Sequence, residues 1–198
     1  MKEISLQRAV ESLEIETKAV ADVLATLDKD AFAAAVDLLA NADRIITSAS
    51  GSSGVAAKKF AHTLCCVERP AQFLPPCEAM HGGLGAVQKD NVVVLVSRGG
   101  KTAELLPVLS VALEKNAKII GVTENMESPL ATQADIVLAM KVTKECDKYN
   151  CQGTTSFAVT NAIFDALQAA VIEYTGYQKM DFALIHPGGA VGKRLNAK

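Results

Sequence analysis

The stretch from Asn91 to Pro107, NVVVLVSRGGKTAELLP, constrains this chain more than any other. Val92-Val93-Val94-Leu95-Val96 is a continuous, largely β-branched run. Such a run suits a parallel strand covered on both faces. Ser97 ends it, Arg98-Gly99-Gly100-Lys101-Thr102 makes a tight polar loop, and a helix is expected over 103–115 with Glu104 in its first turn. Two glycines let the backbone approach a ligand closely. The free amides of a helix start, with the hydroxyls of Ser97 and Thr102, make a cup for an anion. The stretch therefore predicts a phosphate seat. It is not a nucleotide P-loop, which needs glycine five residues before its Gly-Lys pair, where this chain has Leu95.

The same plan recurs upstream. A strand over 44–48 runs into the small polar loop Ser50-Gly51-Ser52-Ser53-Gly54 and a helix over 55–66. Before it, Leu6, Val10, Leu13, Val20, Leu24 and Leu27 fall at steps of three and four and predict a long amphipathic helix over 3–28. That helix can pack on its own sheet or on another subunit. Asp30 is the expected N-cap of a helix over 31–40. Further strands are expected at 70–74, 118–123 and 136–139, with a short helix inside 125–132. The helix over 103–115 should bury Leu105, Leu106, Leu109 and Leu113. The polar segment 142–153, VTKECDKYNCQG, follows a strand and so lies on the edge where ligands bind in such sheets. Its Glu145 is either a site acid or a solvated loop acid. A long helix over 154–174 should place Phe157, Phe164, Leu167, Val171 and Tyr174 inside, and a last helix spans 180–185. His81, beside two glycines, reads as a structural hydrogen-bonder or a site residue. The closing His186-Pro187-Gly188-Gly189 stretch, on a surface segment, has no evident core role. Five strands alternating with helices give a parallel sheet covered on both faces, an α/β architecture.

Composition narrows the partners. With 198 residues the chain is long enough for one domain, residues 1–41 supplying helices and 42–198 the sheet-bearing core. A net charge of −2 gives no reason to expect nucleic acid or an anionic membrane as partner. No run reads as long enough to span a bilayer. Glu3, Glu11, Glu14 and Glu16 stand where a signal peptide would be apolar, so a cytoplasmic protein with reduced thiols is expected. Adjacent Cys65 and Cys66 are expected on a buried helix face. Cys146 and Cys151 form one loose pair without a second, so no structural metal is expected.

Several blocks, taken together, resemble the sugar isomerase (SIS) domain, and most closely its arabinose-5-phosphate isomerase branch. They are the SGSSG loop, Glu78-Ala79 with His81-Gly82 and Leu84-Gly85, the Ser97 loop with Glu104, Val122-Thr123, Ala134-Asp135, Lys144-Glu145-Cys146 and above all HPGGAVGKRL. The resemblance covers about residues 40 to 195. It implies a three-layer αβα sandwich, flavodoxin-like, assembled as a homo-oligomer (dimer or tetramer) with sites between subunits. It implies a sugar phosphate held by the serine-rich loops through Ser50, Ser52, Ser53, Ser97, Gly99, Gly100 and Thr102, and calls for no cofactor. Glu104, Glu145 and His186 occupy the branch's active-site positions, and His81 that of a second, substrate-contacting histidine. The implied reaction is aldose–ketose isomerisation through an enediol, with arabinose 5-phosphate and ribulose 5-phosphate as the leading pair. Many members continue into paired CBS modules, and the sequence given stops soon after Arg194, so a bare isomerase domain is expected.

The chain departs from the branch at defined places. Ser52 stands where the first loop has lysine. SRGGKT replaces SNSGES, which puts Arg98 and Lys101 beside the phosphate seat, one of them a candidate to replace that lysine. Pro75 replaces a histidine linked with metal in the branch, so no zinc is expected. Asn150-Cys151-Gln152-Gly153-Thr154 replaces a proline-rich segment where the sugar would sit. The alternatives kept open are a non-catalytic phosphosugar sensor and an isomerase of another sugar phosphate.

Overall fold

Residues 92–96 form a strand buried at every position, and it lies at the centre of the sheet. The computed structural model describes residues 3–196. Its strands are β1 (Ile45–Ser48), β2 (Ala71–Phe73), β3 (Val92–Val96), β4 (Lys118–Thr123) and β5 (Ile136–Ala139), in the order β2-β1-β3-β4-β5. All four pairings are parallel. Alternation along the strands divides two cores. Ile45, Val92, Val94, Val96, Ile120 and Val122 face one side, and Ile46, Val93, Leu95 and Ile119 face the other.

Helices α1 (Glu3–Thr26), α2 (Lys29–Asn41), α3 (Gly51–Cys65) and α7 (Thr155–Thr175) cover the first side. The stacked rings of Phe60 and Phe164, 4.1 Å apart, tie α3 to α7. On the second side lie α4 (Pro76–Ala79), a 3₁₀ turn at Gly83–Ala86, α5 (Leu106–Glu114) and α6 (Pro129–Gln133). α8 (Lys179–Ile185) and α9 (Gly189–Asn196) close the chain, packed on each other. This is the α/β layering expected from the sequence.

Several local expectations are corrected. The N-cap of α2 is Asp28, not Asp30: its carboxylate accepts from the amides of Asp30 and Ala31, both at 3.0 Å. α5 begins at Leu106, not Ala103. A proline is tolerated in the first helical turn, but deeper in a helix its ring meets the carbonyl four residues back. Pro107 therefore fixes the start, and Glu104 sits in the turn before it. Leu113 is exposed, and Val108 and Ala112 fill the core instead. α3 begins at Gly51, so the serine-rich loop is its first turn. Cys65 is exposed and Cys66 half-buried, because that end of α3 meets solvent. Tyr174 is exposed, and its hydroxyl donates to Asp37 at 2.6 Å. The segment after His186-Pro187 is helical.

Among the described residues α7 alone has the length and mean hydropathy, 1.3, of a bilayer-crossing helix, contrary to the sequence reading. In the fold its apolar stripe, Val159, Ile163, Phe164, Leu167 and Val171, is buried in the first core. α1 shows the opposite arrangement. It packs through Ala19 and Val23, while Leu6, Val10, Leu13 and Leu24 face outward, Leu24 at 76% exposure.

Candidate active site

Strand order reverses between β1 and β3, since the chain leaves β1 for β2 on one side and continues through β3 to β4 on the other. In open parallel sheets ligands bind at that switch point, beyond the carboxyl ends of the strands. A cleft of about 380 Å³ lies there. It is lined by Ser50, Gly51, Gly54 and Lys58 of the first loop and helix, by Phe73, Pro76 and Cys77, and by Glu104.

The loop after β3 is tied down by hydrogen bonds at both ends. The Ser97 hydroxyl shares a 2.8 Å hydrogen bond with that of Thr102, and accepts from the Gly100 amide at 3.0 Å. Glu124 N donates to the Arg98 carbonyl at 3.0 Å, and Leu130 N to that of Gly100 at 3.2 Å. Gly100 has φ +65, and a Cβ there would lie 1.9 Å from Ser128 Oγ, so glycine is required twice over. Among the described residues, no hydrogen bond takes the amides of Gly99, Lys101, Thr102, Ala103 or Glu104. Lys101 is exposed and makes no ion pair there.

The first loop is built alike. Ser50 is the N-cap position of α3 but makes no side-chain cap bond, and the amides of Ser52 and Ser53 are unbonded among the described residues. Gly54 is buried, and a Cβ there would come within 2.8 Å of the Ala49 carbonyl, so α3 can follow β1 this closely only with glycine. Ser52 Oγ points at Gly153, where a Cβ would lie 2.2 Å away. The segment after β5 thus folds over the first loop. The cleft brings Ser50 and Glu104 together from separate loops.

The other expected site residues fall elsewhere. Arg98 does not face the seat. Its guanidinium donates to Glu124, Glu145 and the Val142 carbonyl. Glu145 is buried, not a solvated loop acid. Burial pushes its carboxyl up, but hydrogen bonds from the hydroxyl and amide of Ser156 and from Thr154 outweigh this and hold it below its ordinary value. His81 is exposed beyond α4. His186 stacks on Phe182 with ring centroids 3.7 Å apart, and its Nδ1–H donates to the Phe182 carbonyl at 3.0 Å. A carbonyl only accepts, so Nδ1 carries a hydrogen, and Nε2 makes no hydrogen bond among the described residues. Neither histidine lines the cleft of its own chain. No cluster of three or more His, Cys, Asp or Glu among the described residues is placed to hold a metal ion.

Lys58 is the residue the sequence reading missed. It faces the cleft from one helical face with Gly51, Gly54 and Val55, an i, i+3, i+4, i+7 pattern visible in the sequence. Its neighbour Lys59 pairs with Asp165, while Lys58 makes no ion pair among the described residues.

The SIS domain family matches residues 38–170, and the chain belongs to that family. Arabinose 5-phosphate isomerase KdsD of Pseudomonas aeruginosa is 38% identical over 193 residues, covering 98% of this chain and 59% of that protein. The chain thus spans about three fifths of the length of the curated relatives it matches. The crystal structure of a candidate sugar-phosphate isomerase from Listeria monocytogenes is 38% identical with a TM-score of 0.92, covering 95% of this chain and 99% of that one. An Escherichia coli protein in complex with arabinose 5-phosphate is 30% identical with a TM-score of 0.86, covering 94% and 100%.

Proposed function

We propose that this chain is a phosphosugar aldose–ketose isomerase, with arabinose 5-phosphate and ribulose 5-phosphate as its pair. The observation that carries this is the cleft at the switch point. There Glu104, without a hydrogen bond among the described residues, stands between two loops of unbonded amides. The relatives' names and the E. coli protein's arabinose 5-phosphate complex support the substrate. The phosphate seats on the amides after β3, far from the reacting carbons, and fixes their position. A histidine opens the sugar ring by proton transfer at the ring oxygen. A carboxylate then takes the proton from C2 while O1 gains one, giving the C1=C2 enediol, and the proton returns to C1 as O2 gives up its own and the C2 carbonyl appears. No electrons leave the sugar.

His81 and His186 complete the site from a neighbouring subunit. Supporting this, both lie off the cleft of their own chain, and α8 beside His186 exposes Met180 and Leu184, at 66% and 76%. The outward stripe of α1 is a further face for self-association.

The test is proton exchange at C2 of arabinose 5-phosphate in heavy water, followed by NMR. Exchange with ribulose 5-phosphate appearing supports the isomerase. Ser52 in place of the branch's lysine favours a second reading, a phosphosugar sensor. Binding without exchange would select it.

A further inference from the structure

The resemblance assigns two glutamates to the site, yet of the pair Glu104 lines the cleft and Glu145 is buried behind it. We propose that Arg98 and Glu145 form a fixed brace that positions the 142–153 segment, and that Glu104 alone is the catalytic base. The base assignment rests on the isomerase reading above.

Arg98 leaves the carboxyl end of β3 and reaches along the ends of the neighbouring strands. Its Nε donates to Glu124 Oε2 at 2.6 Å, Nη1 to Glu145 Oε1 at 2.8 Å and Nη2 to the Val142 carbonyl at 2.8 Å. Glu124 Oε1 accepts in turn from Val142 N at 3.2 Å. One guanidinium therefore joins the loop after β3, the end of β4 and the segment after β5. A rigid planar fork makes such a three-way grip, and a lysine ammonium on its flexible stem does not.

The far oxygen of Glu145 is also occupied. Oε2 accepts from Thr154 N at 2.9 Å, Ser156 N at 3.1 Å and Thr154 Oγ1 at 3.2 Å. The Glu145 amide donates to Asn150 Oδ1 at 2.7 Å. The Glu145 side chain is only 4% exposed. A proton placed on this carboxylate would face donors on every side and would leave Arg98 with Glu124 as its one anionic partner among the described residues. Glu145 is thus a positioning residue whose carboxylate oxygens are both taken by donors. Glu104 is the opposite case: exposed, in the cleft lining, and without a hydrogen bond among the described residues. A general base must come within hydrogen-bond reach of the proton it abstracts, and among the described residues Glu104 is the carboxylate that lines the cleft.

The test compares wild type, Glu104→Gln, Glu145→Gln, Arg98→Met and the Arg98→Met/Glu145→Gln double variant. Two readouts are taken on each: C2 proton exchange over a range of arabinose 5-phosphate concentrations, which gives rate and KM, and amide hydrogen exchange of residues 142–153. Glu104→Gln should slow C2 exchange roughly 10²–10⁴-fold, the worth of a general base, with the segment as protected as in wild type. Added formate should partly restore exchange to a further variant, Glu104→Ala, because the cleft is open. Arg98→Met and Glu145→Gln should each lose protection over 142–153 and raise KM while retaining C2 exchange. The double variant should match the worse single within about threefold, because both changes remove one unit. Glu145→Gln that abolishes exchange with the segment still protected would make Glu145 the base. Arg98→Met that matches wild type in protection and KM would remove the brace. A wild type that exchanges no C2 proton overturns the isomerase reading and the base assignment with it, and the amide protection still judges the brace.

Discussion

Glu145 and Lys58 show how much a side chain's surroundings decide its use. The hydrogen bonds that depress the Glu145 carboxyl stabilise the folded chain only while it is ionised. The unfolded chain, with an ordinary carboxylate value of about 4.3, takes up its proton first. The stabilisation is therefore fully present above that value and is lost as pH falls toward the lower folded value. Asp135, where burial is outweighed by bonds from Ile119 and Lys118, adds to the same acid loss. Thermal melts from about pH 6 to about pH 3 should fall more steeply for wild type than for Glu145→Gln. Lys58→Met should raise KM for a phosphosugar about tenfold, or roughly 1.4 kcal/mol, with Lys58→Arg recovering most of it. Steady-state kinetics on the three proteins checks this, and an unchanged KM would make Lys58 a solvated charge. Glu104's place after a strand and a glycine-rich turn was legible, while its assignment as a site acid came from the family resemblance alone. Glu145's burial was not, because its donors at Thr154 and Ser156 belong to the first turn of another helix.

At the scale of elements, the strands were legible and the helix ends were less so. Apolar runs such as Val92–Val96 carry their burial in their composition, whereas a helix start depends on one competing bond. Asp28 and Asp30 are equally good capping types, and only the path of the chain chooses between them. Asp28→Ala should cost about 1 kcal/mol and Asp30→Ala close to nothing. Differential scanning calorimetry should show this as a drop of about 2–4 °C for the first alone. Pro107 was a signal already present in the sequence, since it forbids a helix starting at Ala103. Gly54→Ala should cost about 1–3 kcal/mol, because the atom it would strike, the Ala49 carbonyl, is backbone and cannot rotate away. Gly153→Ala should be milder, because the atom it would strike hardest is the rotatable Ser52 hydroxyl rather than backbone.

For the whole molecule, periodicity in α1 declared an apolar face without declaring what covers it. Leu13 and Leu24, at 66% and 76% exposure, should lie in the subunit contact of the proposed oligomer. Sedimentation of Leu13→Asp/Leu24→Asp should show smaller species than wild type, and an unchanged distribution would remove α1 from that contact. If sites are shared, mixing inactive Glu104→Gln with inactive His186→Ala should restore activity, since some mixed sites take both intact residues. The cleft has one more property with a practical consequence. Cys77 lines it as a free, exposed thiol. An alkylating reagent therefore doubles as an occupancy gauge: a sugar phosphate in the cleft should shield Cys77 from labelling and leave exposed Cys65 and Cys151 reacting at their own pace.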